Sequence, residues 1–400
     1  MSARTLMTSG RRQSGISLIE TMIGLALGLV ALMVIVQAFT SVRQFSAASG
    51  GQADAQQRGT IASWRLLREL RMAGAGIGHG PTLWGCTLNA WDGGVQFLPR
   101  AGAWPAPFDN LPTTLRLVPL AVADDTGPNG SDQLLLMTAR SAAGSAPITT
   151  SVVSGAMVRS GSSVGHRAGD LLLMSDATTV GNCQIGQIDS TYLAPIGVAA
   201  PSDIPTGTTG TSFNSPGGFS NLPQPGDYSM INLGATPTIQ MIGIDDQRRL
   251  MLFDAMGMMT GAAPVVLAEN VHQLQVLYGI DDGSGGGIAN DNVVDDWVLP
   301  TGAWQFANVH SAATNALAIK ALRIAIIARS GSLQGRTGPA SLTLFQDLPA
   351  ASQVTLNFSI TERQYQYQVY ETVIAIRNGS SALCSEHRRI NGVPAPGICE

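Results

Sequence analysis

The sequence predicts an α+β chain: one long N-terminal helix, apolar in its first half, packed in its second half on an antiparallel β-sheet with large loop insertions. Three observations predict it. Residues 16–39 form one apolar run broken by a single acid, Glu20. Residues 52–73 place Ile61, Trp64, Leu67 and Leu70 at i, i+3 spacing, with Arg58, Arg65, Arg68 and Arg71 on another side. Beyond Gly80 the apolar runs shorten, alternate in part, and are bounded by turn residues.

The first element decides the topology. Residues 1–15 are polar and basic, with Arg4, Arg11 and Arg12 and no acid, and the chemistry changes before the apolar run rather than after it. A secretory signal places its small-residue cleavage site beyond the apolar region; here Ser46-Ala47-Ala48-Ser49 is only a decoy for one. As a helix, 16–39 is about 36 Å long, enough for a hydrocarbon core of about 30 Å. The flanking arginines hold the N-terminus on the cytoplasmic side. Glu20 is costly inside an apolar helix unless paired, which makes it a candidate functional residue. Gly24 and Gly28 form a GxxxG pair that permits close approach of another helix. No Pro lies between Ile16 and Gly80, so a straight helix is expected.

The helix is expected to continue past the membrane, loosened at Gly50-Gly51, and to stop in the Gly-rich run Gly74–Pro81. That run lacks the GxGxxG spacing and no strand precedes it, which excludes a dinucleotide loop. Strands are expected at 133–138, 170–174, 265–267, 273–280, 321–329 and 364–369. The last alternates strictly and suits a sheet with one buried face. Residues 201–227, rich in Pro, Gly, Ser and Thr, read as a long loop. No internal repeat stands out.

Hydrophobic residues make up 44% of the 400-residue chain and charged residues only 12%, against about 25% ordinarily. That is ample core material for one to three domains. The formal charge is −4, and loss of the three leader arginines takes it to −7. With no basic run outside the leader, a nucleic-acid partner is disfavoured.

Cys86, Cys183, Cys384 and Cys399 include no CxxC pair, which argues against zinc and, in an exported chain, for two disulfides. Cys384 and Cys399 are near enough to close a small C-terminal loop, leaving Cys86 for Cys183; four cysteines permit three pairings in all. Asp281, Asp282, Asp291, Asp295 and Asp296 surround a Gly run and offer hard oxygen ligands, a candidate calcium loop that lacks the EF-hand spacing. The alternative is a solvated acidic loop, with no cofactor. Gly161-Ser162-Ser163-Val164-Gly165 satisfies GxSxG, but a nucleophile elbow needs a helix after it, and a strand-like run follows instead. His79, His166, His272, His310 and His387 are dispersed, none at metal-ligand spacing. An enzyme is not expected.

The basic leader, Gly15, the hydrophobic Ile16 and Glu20 four residues on resemble the signature of the type IV prepilins. The resemblance implies cleavage by a prepilin peptidase after Gly15 and methylation of the new N-terminus at Ile16. It also implies pairing of Glu20 with the positive N-terminus of a neighbouring subunit. It divides the chain into a leader (1–15), a transmembrane helix (16–39), an amphipathic continuation (40–80) and a periplasmic, then surface-exposed, β-rich head (81–400). Further segments resemble the minor pilins of the PilW family. They are the Arg-rich helix before Cys86, Gly169–Leu173 before Cys183, 268–279, 321–325 and 365–372. The implied protein is an inner-membrane minor pilin that helps initiate the pilus at or near its tip. Its implied partners are other minor pilins, the major pilin and in some cases a tip adhesin. The missing Pro and the large head set it apart from a major pilin. A type II secretion minor pseudopilin shares the leader and helix, and a tip-located binding module is a further alternative.

Overall fold

The computed structural model describes residues 15, 17–77, 83–143, 146–162, 164–177, 180–194, 202–207, 213–222, 227–332, 337–348, 354–376, 389–390 and 393–394. The chain opens on α1 (Leu18–Leu70), a single helix of 53 residues and about 80 Å. It runs unbroken through Gly50-Gly51, where loosening was expected. Two glycines cost about 1 kcal/mol each in a helix interior; the Ala- and Gln-rich sequence around them offsets this. The helix stops at Leu70, short of residue 80. Gly74 and Gly76 then take φ of 77° and 69°, which glycine adopts without a Cβ penalty. The turn is tied to the head by Gly74 N–H donating to Met137 O (2.9 Å) and Ala139 N–H to Ala75 O (2.7 Å).

The buried stripe of α1 is Gly59, Ala62, Leu66 and Leu70, continued by Ala73 in the turn just beyond its end. This corrects the i, i+3 reading: Leu70 is in the core, but Ile61 is 40% and Trp64 62% exposed. A row spaced strictly by three drifts around a 3.6-residue helix. The observed spacing of three and four stays on one side, and its small residues let the backbone approach the sheet.

That sheet has four antiparallel strands in the order Asp296–Val298, Val271–Ile280, Ile319–Ser332, Tyr365–Ala375. Helix α1 crosses the last two. Every residue of Val271–Ile280 is buried, so this sheet has two covered faces rather than one. Leu322, Ile324 and Ile326 face the main core with the helix. Leu277, Ala325 and Ile327 face a second cluster with Leu344 and Phe345, capped by the hairpin Ser341–Leu344 and Leu356–Ser359.

A five-stranded antiparallel sheet runs Val265–Glu269, Arg249–Asp254, Thr238–Ile244, Ser131–Thr138, Leu120–Gly127. An eight-stranded sheet runs Val95–Leu98, Thr87–Asp92, Asn182–Gln187, Leu171–Asp176, Asp227–Gly234, Ile148–Ser154, Met157–Ser160, Ser202–Pro205. One pair in it is parallel, Thr87–Asp92 with Asn182–Gln187. One core cluster joins all three sheets to the helix, from Leu66 and Leu70 through Leu135 and Ile324 to Leu173 and Ile185. The six predicted strands all fall within observed ones, except that Asp170 and Gln364 each precede their strands by one residue. The stretch 201–227 is not wholly loop, because Ser202–Pro205 pairs with Met157–Ser160.

Candidate functional site

The most unusual surface is the first half of α1. Leu18–Arg43 is long and apolar enough to cross a membrane: 26 residues, mean hydropathy 2.5, none of it buried against the head. A soluble helix of this composition would bury an apolar stripe; here Leu25, Leu29, Met33 and Ile35 are all more than 60% exposed. Gly15 is exposed just before the helix, and Ile16 lies outside the described residues. Glu20 sits in the first turn, where its charge faces the positive end of the helix dipole. Among the described residues it makes no ion pair. Gly24 and Gly28 follow at i+4 and i+8 on the same face, and a Cβ added at either meets nothing within 4 Å. An acid and two small residues thus share one stripe of an uncovered apolar helix.

The other half is fixed to the head by polar bonds as well as by its core stripe. Arg58 pairs with Glu269 at 3.5 Å, and Arg65 Nη1 donates to Leu267 O, both on the strand Val265–Glu269. Glu69 accepts from Arg68 (2.7 Å) and from Gln240 (3.3 Å). The Tyr370 hydroxyl donates to Gln56 O at 2.9 Å. The expected arginine face is therefore partly a set of struts, while Arg71 stays exposed.

Cys86 and Cys183 form a disulfide with Cα atoms 5.6 Å apart, both fully buried, beside the parallel strand pair. Cys384 and Cys399 lie outside the described residues.

The acidic loop is organised by its own backbone. Asp281 is buried and accepts N–H bonds from Asn290 (2.5 Å), Asp291 (3.3 Å) and Asn292 (2.8 Å), with Lys320 Nζ at 3.7 Å. Burial pushes the Lys320 ammonium below its usual range, and Asp281 opposes that. Asp295 accepts from Gly283 (2.7 Å), Asp282 from Ser284 (2.9 Å), Asp291 from Val293 (2.9 Å) and Asp296 from Trp297 (2.7 Å). The five carboxylates are thus spread along the loop as turn acceptors.

Among the described residues, the group of three acids whose oxygens lie within 4.8 Å of one another is Asp124, Asp125 and Asp132, which the sequence reading missed. Asp132 is buried and accepts from Asp125 N–H (3.1 Å) and Val276 N–H (2.8 Å). Burial raises its carboxyl well above the usual range, and Asp124 adds to this. It docks the hairpin of Leu120–Gly127 and Ser131–Thr138 onto the helix-bearing sheet, as does Tyr278, whose hydroxyl accepts Val122 N–H at 2.6 Å. The only signal in the sequence was acids flanking the Gly127–Gly130 turn.

No helix follows Gly161–Gly165, so no nucleophile elbow forms; Ser163 itself lies outside the described residues. His166 is buried beside Asn232 (3.0 Å), which bonds Asp170 (2.9 Å), a network that holds strand ends together. His272 and His310 are buried, and His79 and His387 lie outside the described residues.

An exposed apolar N-terminal helix running unbroken onto a sheet-based head defines a pilin-like α+β protein. Residues 237–378 match the model of the family PilW, described as Type IV Pilus-assembly protein W. The segment is a little over a third of the chain and holds the four-stranded sheet on which α1 rests. It contains three of the stretches that resembled PilW proteins, 268–279, 321–325 and 365–372. Neither a curated protein nor a solved structure matches the chain.

Proposed function

We propose that the chain is a minor pilin that helps initiate type IV pilus assembly and sits at or near the pilus tip. A prepilin peptidase cuts between Gly15 and Ile16 and methylates Ile16; Leu18–Arg43 anchors the subunit in the inner membrane with its head in the periplasm. Glu20 then pairs with the N-terminus of a neighbouring subunit, because two charges left unpaired in hydrocarbon each cost several kcal/mol. Gly24 and Gly28 on the same stripe give a neighbouring helix room to approach. The observation that carries the reading is the continuity of α1, an uncovered apolar rod with one acid that passes without a break into a family-matched sheet. The large head, awkward to repeat along a filament, favours a tip position with other minor pilins and the major pilin as partners.

The test is the amount of sheared surface pilus from a deletion strain complemented with wild type or Glu20→Ala. Loss of pili, restored by wild type and not by Glu20→Ala, is the expected result. Unchanged pili in the deletion strain would overturn the assembly role, and a secretion defect instead would mark a type II secretion pseudopilin.

A further inference from the structure

We propose that the outward face of the head-proximal half of α1 docks a carboxylate-bearing segment on the head of a neighbouring pilus subunit. The face consists of Ile61, Trp64, Arg68 and Arg71, with Arg140 beside it. The inference rests on the assembly role proposed above and adds the chemistry of the partner.

Trp64 lies on the side of α1 opposite the buried row of Ala62, Leu66 and Leu70, and 62% of it is exposed. Nothing in the fold calls for an indole there. Arg68 lies one turn on, its guanidinium 5.9 Å from the indole centroid. Trp64, Leu67, Arg68, Arg71 and Arg140 line one open groove at the head end of the helix. Exposed Trp and Arg together are the side chains that most often dominate binding at interfaces.

The charge is one-sided. Glu69 is the groove's acid, and its two oxygens are already engaged, one by Arg68 and the other by Gln240. Arg71 and Arg140 make no ion pair among the described residues. A cationic, aromatic face on a chain whose net charge is −4 is complementary to carboxylates. Anionic lipid is the other source of negative charge, but about 32 Å of helix separates Arg43, the end of the membrane-length segment, from Trp64. That is several Debye lengths, so headgroups do not reach the face of an anchored subunit.

The experiment uses the full-length chain in cells that assemble the pilus. Benzoylphenylalanine replaces Ile61, irradiation follows, and crosslinked peptides are mapped by mass spectrometry. The same is done with the added pair Arg68→Glu and Arg71→Glu, and separately with Trp64→Ala. All these positions are exposed or half-exposed, and formation of the Cys86–Cys183 disulfide reports folding in each variant. Expected is a product with another pilus subunit through a peptide containing Asp or Glu. Its yield falls about tenfold in the charge-reversed chain. Crosslinks to lipid, to a second copy of this chain or to a peptide without acids each overturn the proposal. So does an unchanged yield after charge reversal, or no product at all. If the expected product forms yet the deletion strain makes normal pili, the docking face stands and the assembly role falls.

Discussion

The Tyr370 ring lies against the backbone of α1 at Gly59, where a Cβ would overlap the aromatic ring. Its hydroxyl then reaches along the helix to Gln56 O at 2.9 Å. In an isolated helix Gly→Ala gains about 1 kcal/mol; here Gly59→Ala forces the tyrosine or the helix to move, an overpacking cost of about 1–3 kcal/mol. Net destabilisation is expected, read as a lower melting temperature of the full chain in detergent. Pairing it with Tyr370→Ala is the decisive arm. The double variant should recover the overlap cost, and two additive losses would mean that the ring and glycine do not interact.

The Cys86–Cys183 bond closes 97 residues of sequence and ties the parallel strand pair within the eight-stranded sheet. Restricting the unfolded chain over a loop of this length is worth about 4–5 kcal/mol. Cys86→Ser with Cys183→Ser should therefore lower the melting temperature in oxidising buffer. Reductant should lower wild type toward the same value, and a double variant as stable as wild type would refute the constraint.

The long apolar helix, the six strands and the Cys86–Cys183 pairing were legible because each has a local signal: a long apolar run, alternation, or sequence proximity that leaves one partner. The depth of Val271–Ile280 was not legible, because its second cover comes from Leu344 and Phe345, distant in sequence. The orientation of α1 was misread because Ile61 and Trp64 look like core residues by type, while the contact is made by Gly59 and Ala62. Small residues are chosen by what approaches them, here Tyr370, which lies more than 300 residues away. The acidic loop was visible as composition, but its carboxylates are spent on backbone N–H groups, a use that composition does not show.

Asp281 holds that loop from beneath, with Lys320 as its buried counter-charge. Asp281→Asn keeps one acceptor, loses part of the hydrogen bonding and strands a buried cation, a cost of about 3–5 kcal/mol. Adding Lys320→Met should return part of that loss, since the double variant leaves no orphan charge. The calcium expectation is checked on the same samples. Calcium bound by this loop would raise the melting temperature of wild type and not of Asp281→Asn, whereas carboxylates engaged as turn acceptors predict no shift in either.

His272 and His310 are both held at about 4 from an ordinary 6.5, chiefly by burial. Around His272 the charges of Arg248 and Arg329 add to the depression and Glu362 opposes it, with the Tyr367 ring 5.0 Å away. At His310 the charge of Arg116 adds to it, and the neutral ring accepts Arg116 N–H at Nε2, 2.7 Å. The folded state therefore binds fewer protons than the unfolded state between pH 6.5 and 4. The stability of the neutral rings is complete above pH 6.5 and is lost as pH falls through that window, by about 1.4 kcal/mol per pH unit for each histidine. Asp132 acts in the opposite sense, because its raised pKa makes the folded state the better proton binder above pH 3.8. The histidine share is isolated by difference: His310→Gln supplies an acceptor without titrating. The gap between wild type and His310→Gln in denaturant midpoint should close between pH 7 and pH 5, and a gap independent of pH would show that His310 titrates normally in the fold.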